Sequence, residues 1–308
     1  MKLDCIASER HYADHLLPVW DALLDDIDGG EALTHPYRLS HRLAWGDTPV
    51  LVASWKDART ATRKGRPVVL MEHGAGQSYA GVDNPGYVGA SDRSGVILYL
   101  APNESAAERH RAAHPEIPVE VVGCPKLDRL LAYQRPRGHT VALTHHWMTG
   151  IAPETKPAFP HFAGAYPALA KRFDLLVHAH PRDTSRQAWC QRNRLAYAAS
   201  FEQVATEATV LVVDNSSVGA EWLALDRPVV WLNAPWYRRD VHHGGRFWEW
   251  ARAGIEVDDP ADLETAVAAS LATDPMADAR RKMIPSLYAN LGCATQAAAA
   301  AIRSHLNA

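Results

Sequence analysis

The sequence predicts an α/β protein of two parallel-sheet domains facing a central cleft. Three observations carry this prediction. Short β-branched runs alternate with helical segments, the alternation starts afresh after a charged Pro/Gly stretch near residue 136, and the polar clusters follow directly on strand runs.

The first series opens with LDCIA and a helical stretch over residues 9–24. It continues with TPVLVAS at 48–54, a helical 54–64, PVVLM at 67–71, VILYL at 96–100, a helical 103–114 and VEVVG at 119–123. Each apolar run is bounded by Gly, Pro or polar residues, as buried strands are. Pro136 and Gly138, with Arg135 and Arg137 beside them, suit an exposed hinge. The second series then runs HTVALTHH from 139, a helix near 163–172, DLLVHAH at 174–180, TVLVVDN at 209–215, RPVVWLN at 227–233 and GIEVDD at 254–259. Thr295 to Ala301 is an alanine-rich helix former, and Ile302 and Leu306 give it an apolar edge. Two Rossmann-like domains bind ligands at the carboxyl ends of their strands.

Composition narrows the class. At 308 residues, with 47% hydrophobic and 22% charged, the chain holds about two globular domains. No apolar run approaches the ~20 residues that cross a bilayer, and MKLDCIASERHYADH lacks the apolar core of a signal peptide, so a cytoplasmic protein without an integral membrane segment is expected. A net charge of -3 argues against a nucleic-acid binder that works through overall positive charge. Cys5, Cys124, Cys190 and Cys293 lie far apart, which fits a reduced compartment without disulfides.

Three clusters stand where this architecture does chemistry. Glu72-His73-Gly74-Ala75-Gly76 follows PVVLM, and Gly81, Gly86 and Gly89 extend the glycine-rich run, which lets the backbone approach a ligand or move. His73 is either a general base, since imidazole titrates near neutral pH, or a strand-end hydrogen-bonding group. In the second cluster, His178 and His180 share a strand face and Pro181 ends the strand, so that His180 and Arg182 project at its tip and suit phosphate oxygens. A metal would also take two such histidines, but no cysteine or carboxylate motif accompanies them, and no metal is expected. The third, Asp214-Asn215-Ser216-Ser217, precedes the helical run VGAEWLALD. Ser216 or Ser217 reads as an N-cap, the helix start as an anion site, and Glu221 as a carboxylate within reach of ribose hydroxyls.

Two further stretches are open. Trp236 to Trp250 packs aromatics around Gly244 and Gly245, either roofing the core or forming a lid that stacks on a base. Lys56, Arg59 and Arg63, with Lys64 and Arg66 nearby, form either a solvated face or one that meets anionic lipid or nucleic acid.

The order of motifs resembles the CDP-glycerol:poly(glycerophosphate) glycerophosphotransferase family of the GT-B superfamily. The pieces are EHGAG at 72–76, VGCPKLD at 122–128, HPR at 180–182, VDNSSVGAEWLALDRPVVWL at 213–232, APWYRRDVHHGGRFWEW at 234–250, GIEVDDPADLETAV at 254–267 and NLGCATQAAAAAI at 290–302. Ala75-Gly76 stands where that family carries Thr-Pro. The segment from Asp214 to Glu221 is also similar to the nucleotide-binding segment of UDP-N-acetylglucosamine 2-epimerases. The resemblance implies an acceptor domain over 1–135, a nucleotide-donor domain over 136–285, and a helix over 286–308 that crosses back to the first.

It further implies a metal-independent transferase. A glycerol-phosphate or glycosyl group would pass from CDP-glycerol or a UDP-sugar to a hydroxyl on a polymer, a sugar or nucleic acid, with no cofactor beyond the donor. His73 and His180 would be catalytic; Gly74, Arg182, Asp214, Asn215, Ser216, Ser217 and Glu221 would bind the donor. Alternatives are a sugar-nucleotide epimerase, a transferase that decorates DNA bases through Arg238, Arg239 and nearby aromatics, and a non-catalytic nucleotide-sugar binding module.

Overall fold

The computed structural model describes residues 1–34, 43–77, 93–150, 152–241 and 247–307. The chain divides into two compact units. The first is built from Met1–Gly76, the described residues of 93–132 and the chain from Ser286 onward; the second is Gln77 with the described residues of Tyr133–Pro285. The break thus falls after Ala132, before the Pro136 and Gly138 stretch.

In the first unit, β1 (Asp4–Ala7), β2 (Ala32–Thr34), β3 (Val50–Val52), β4 (Val68–Met71), β5 (Val96–Ala101) and β6 (Val119–Val121) pair in the order β2-β1-β3-β4-β5-β6, all parallel. Side chains alternate across the pleat, so the sheet buries two apolar faces. Val69 and Met71 enter one core with Leu16 and Trp20 of the helix Arg10–Leu23 and with Ala298 and Ile302 of the helix Ala294–Leu306. Val68 and Leu70 enter the other, with Ala58 of the helix Trp55–Thr62 and Ala106 of the helix Glu104–Ala113.

The last helix is pinned from this same unit. Asp128 accepts hydrogen bonds from the N–H groups of Ala294 (3.1 Å) and Thr295 (2.7 Å), so a carboxylate distant in sequence satisfies the helix start. Ahead of it, Asn290 Nδ2 donates to the Val121 carbonyl at 3.2 Å. Gly123, at φ +90°, lets Ala289 pass where a Cβ would lie 2.1 Å from the Ala289 carbonyl oxygen.

In the second unit, β7 (Val141–His145), β8 (Leu175–Ala179), β9 (Ala196–Tyr197), β10 (Val210–Val213), β11 (Val229–Leu232) and β12 (Ile255–Val257) pair in the order β12-β11-β10-β7-β8-β9, again all parallel. Every residue of β7, β8, β10 and β11 is buried, as a sheet covered on both faces requires.

Two readings of the sequence change. The helix expected near 163–172 is two single turns, Phe159–Phe162 and Tyr166–Leu169, each with proline in its first positions and separated by Gly164. Proline starts a turn readily and interrupts a longer one. The edge strands β2 and β9, of three and two residues, carry too little pattern to be read. No helix among the described residues is long and apolar enough to cross a membrane.

Asp128→Ala leaves two part-buried helix-start N–H groups without their acceptor. The first unit should lose about 1–2 kcal/mol of stability, read as a lower denaturant midpoint in urea unfolding.

Candidate functional site

In the second sheet the chain moves from β7 outward through β8 and β9, then returns to β10 on the other side of β7. Neighbouring loops therefore leave in opposite directions at the carboxyl ends of β7 and β10, the place where open α/β sheets bind ligands. Asp214 closes this junction. It is fully buried, and its carboxylate accepts hydrogen bonds from the N–H groups of His146 (2.8 Å), Ala158 (2.9 Å) and Ser216 (3.2 Å). Burial pushes its carboxyl up to about 6, against the pull of those three N–H groups. Asp214, expected to contact the donor, spends its oxygens here on three backbone N–H groups and clamps the loop segments together.

The helix Val218–Ala224 begins beyond this clamp. Ser216 is buried and Ser217, half-buried, occupies the expected N-cap position, though without a side-chain capping bond. The N–H groups of Gly219 and Ala220 turn back to the carbonyls of Ser216 and Ser217 at 3.1 Å each, so fewer N–H groups remain for an anion than a bare helix start offers. Glu221 is buried one turn on, and Asn215 is fully buried with Oδ1 unpaired and Nδ2 3.5 Å from the Lys156 carbonyl. Gly219 is obligatory, since a Cβ there would lie 2.3 Å from the Trp231 indole.

Beside the junction, His180 and Arg182 leave the end of β8. His180 Nδ1 accepts the Arg182 N–H at 3.1 Å. The neutral ring therefore carries its hydrogen on Nε2 and presents a donor. The Arg182 guanidinium lies over the Trp147 ring at 4.9 Å, and the His180 ring stands 5.8 Å from Trp147 and 6.2 Å from His146. His178 is taken up by the core, its Nδ1 2.7 Å from Thr144 Oγ1. His146 and Trp147 were not singled out in the sequence, because their partners come from another strand.

In the first unit, His73 leaves the end of β4 and its Nδ1 donates to the Ala53 carbonyl at 2.6 Å, across the end of β3. A carbonyl only accepts, so Nδ1 holds the hydrogen and Nε2 keeps the lone pair of the neutral ring. Tyr12 meets this imidazole edge-on at 4.9 Å, with the rings of His15 and His11 at 6.2 and 6.5 Å. His15 is buried with Nδ1 3.5 Å from Cys124 Sγ, and burial, helped by Lys126, His73 and His11, holds it well below the usual histidine range. The i, i+4 spacing of His11 and His15 was the available signal for this group.

Gly74 (φ +80°) and Gly76 (φ +72°) turn the chain as only glycine readily does. A Cβ on Gly76 would lie 2.7 Å from Ala106 Cβ, and Asn103 Nδ2 donates to the Ala75 carbonyl at 3.1 Å, so this part of the glycine run packs on the neighbouring helix. Gly81, Gly86 and Gly89 lie outside the described residues. Burial pushes Glu72 up to about 7, opposed by Arg109 and Arg93.

The open stretches resolve in part. Phe247 is buried and stacks on Trp231 at 5.5 Å, and Tyr237 is buried, so these aromatics roof the second unit's core; Gly244, Gly245 and Arg246 lie outside the described residues. Arg238 pairs with the buried Glu154, and Arg239 with Glu256 and Asp258. Arg66 is buried against Asp4, which removes it from the basic stretch, while Lys56, Arg59 and Arg63 are exposed. Among the described residues no group of three or more His, Cys, Asp or Glu is arranged to hold a metal ion.

No family model and no curated protein matches the sequence. Solved structures do. The S. aureus MnaA–UDP structure superposes with a TM-score of 0.68 at 15% identity, covering 100% of this chain and 97% of that one. The fold is GT-B. A UDP-N-acetylglucosamine 2-epimerase matches at TM-score 0.63 and 17% identity over 100% of this chain and 96% of the other. A variant of the wall teichoic acid polymerase TagF with CDPG matches at 0.65 and 12% over 99% and 88%.

Two outcomes follow from these packing relations. Gly219→Ala drives a methyl group into the Trp231 indole, and urea unfolding should show the second unit destabilised by about 1–3 kcal/mol. Glu72 holds its proton more tightly in the folded state, so its stabilisation is complete below about pH 4.5 and is lost as pH rises through about 7. Glu72→Gln should therefore match the parent in Tm near pH 4.5 and exceed it at pH 8.

Proposed function

We propose that the protein is a transferase that moves a glycerol-phosphate or glycosyl group from a nucleotide-diphosphate donor to an acceptor hydroxyl, without a metal ion. The observation that carries this reading is the opposite tautomers of two strand-end imidazoles: His73 offers a lone pair on Nε2, His180 a hydrogen on Nε2. A transfer to a hydroxyl needs both, a base for the acceptor proton and a donor to the leaving phosphate.

In this reading His73 Nε2 takes the hydroxyl proton as the oxygen attacks. Base catalysis of this kind contributes roughly 10²- to 10⁴-fold. His180, Arg182 and the Ser216-Ser217 turn hold the diphosphate, with Glu221 toward the ribose. Attack on the β-phosphorus of CDP-glycerol would release CMP, and attack on the anomeric carbon of a UDP-sugar would release UDP. That structures of MnaA and TagF carry UDP and CDPG supports a nucleotide donor here, and TagF was solved as two different histidine variants. A sugar-nucleotide epimerase is the second reading, supported by the full-length superposition on a UDP-N-acetylglucosamine 2-epimerase. Transfer to DNA bases has less support, because Arg238 and Arg239 are committed to carboxylates.

Incubation with CDP-glycerol or UDP-sugars tests the reading through the nucleotide released. CMP is the product of glycerophosphate transfer, UDP of glycosyl transfer, and a new sugar epimer of the second reading. His73→Ala should abolish turnover with donor Kd within a few-fold, whereas Ser216→Ala with Ser217→Ala should weaken the donor. Parental activity in His73→Ala would remove the base from the scheme.

A further inference from the structure

Arg182 is exposed on a turn that begins with Pro181, where an arginine side chain would sample many rotamers. A guanidinium grips an anion well only when little of that freedom is left to lose. Here the freedom is already reduced. The guanidinium lies 4.9 Å from the centre of the Trp147 ring, within the range of cation–π attraction. The His180 ring is inclined to the same indole at 32° and 5.8 Å.

Trp147 is itself held from behind. It follows His146, whose N–H is fixed by Asp214 and whose ring Nδ1 donates to the Trp147 carbonyl at 2.7 Å, while the two rings lie 23° apart. A buried carboxylate thus sets a backbone segment, the segment sets an indole, and the indole sets the guanidinium.

We propose that Trp147 is a positioning residue that pre-orients Arg182 for the second phosphate of a nucleoside diphosphate. The inference rests on the donor site proposed above and assigns its preference for diphosphates over monophosphates to the Trp147–Arg182 stack. Trp147 touches no reacting atom in this scheme and acts through Arg182 alone.

The test is a double-mutant cycle read by titration with CDP, UDP, CMP and UMP. Trp147→Leu should weaken CDP and UDP by about three- to tenfold and CMP and UMP by less than about twofold, the diphosphate loss being what one cation–π contact supplies. Trp147→Phe should restore most of the diphosphate affinity. In an Arg182→Ala background, Trp147→Leu should have no further effect. Equal losses for mono- and diphosphates, or losses that add in the double variant, would overturn the inference while leaving the donor site standing. Failure of the parent to bind any diphosphate would overturn the donor site and the inference together. Should Trp147→Leu not fold, Arg182→Lys on its exposed turn reads the same contact: a lysine lacks the planar group that stacks, and it should show the same loss confined to diphosphates.

Discussion

A carboxylate with no exposure, collecting three loop N–H groups at the junction of β7 and β10, is the interaction on which the second unit's polar edge depends. Loops at a sheet edge have few ways to be ordered, because their amides lie beyond the last ladder hydrogen bond. Asp214 supplies acceptors for three of them at once, and they belong to segments from different parts of the chain. That fixes where His146 stands, and through it Trp147 and the turn that carries Arg182. A polar edge that is ordered beforehand has less freedom to lose on meeting a ligand.

The first unit reaches the same end by other means. Its glycine turn is tied to the neighbouring helix through Asn103, whose side-chain oxygen caps that helix at the Ala106 N–H while its nitrogen bonds the carbonyls of Ala75 and Leu287. His73 is thereby carried on a braced turn, and a single carbonyl, that of Ala53, selects which ring nitrogen is basic. In each unit one backbone group sets the tautomer of a strand-end imidazole. The backbone is a more dependable selector than a side chain, since its direction is set by the sheet.

The sheets were legible because a strand buried on both faces shows as an unbroken apolar run, and PVVLM, TVLVV and PVVWL are such runs. Edge strands such as Ala32–Thr34 have no such signature, and Pro167 and Gly164 hid the true shape of the 159–169 region behind helical composition. His73, His180 and Ser216 could be placed by position alone, as polar residues that end strands. What Asp214 does could not: its residue type shows that acceptors exist but not that loop amides consume them. Trp147 was hidden for a related reason, since its partner arrives by pairing of β7 with β8.

The chain's last helix, which completes the first sheet's apolar cover, sets an order of events during synthesis. Until Ala298 and Ile302 leave the ribosome, the face formed by Val69, Met71, Leu98 and Leu100 lacks one of its two covering helices. The second unit, encoded almost entirely between, has all its strands in hand first. While the second unit is being made, the first therefore exposes apolar surface that its later helix goes on to cover, the kind of transient exposure that invites association.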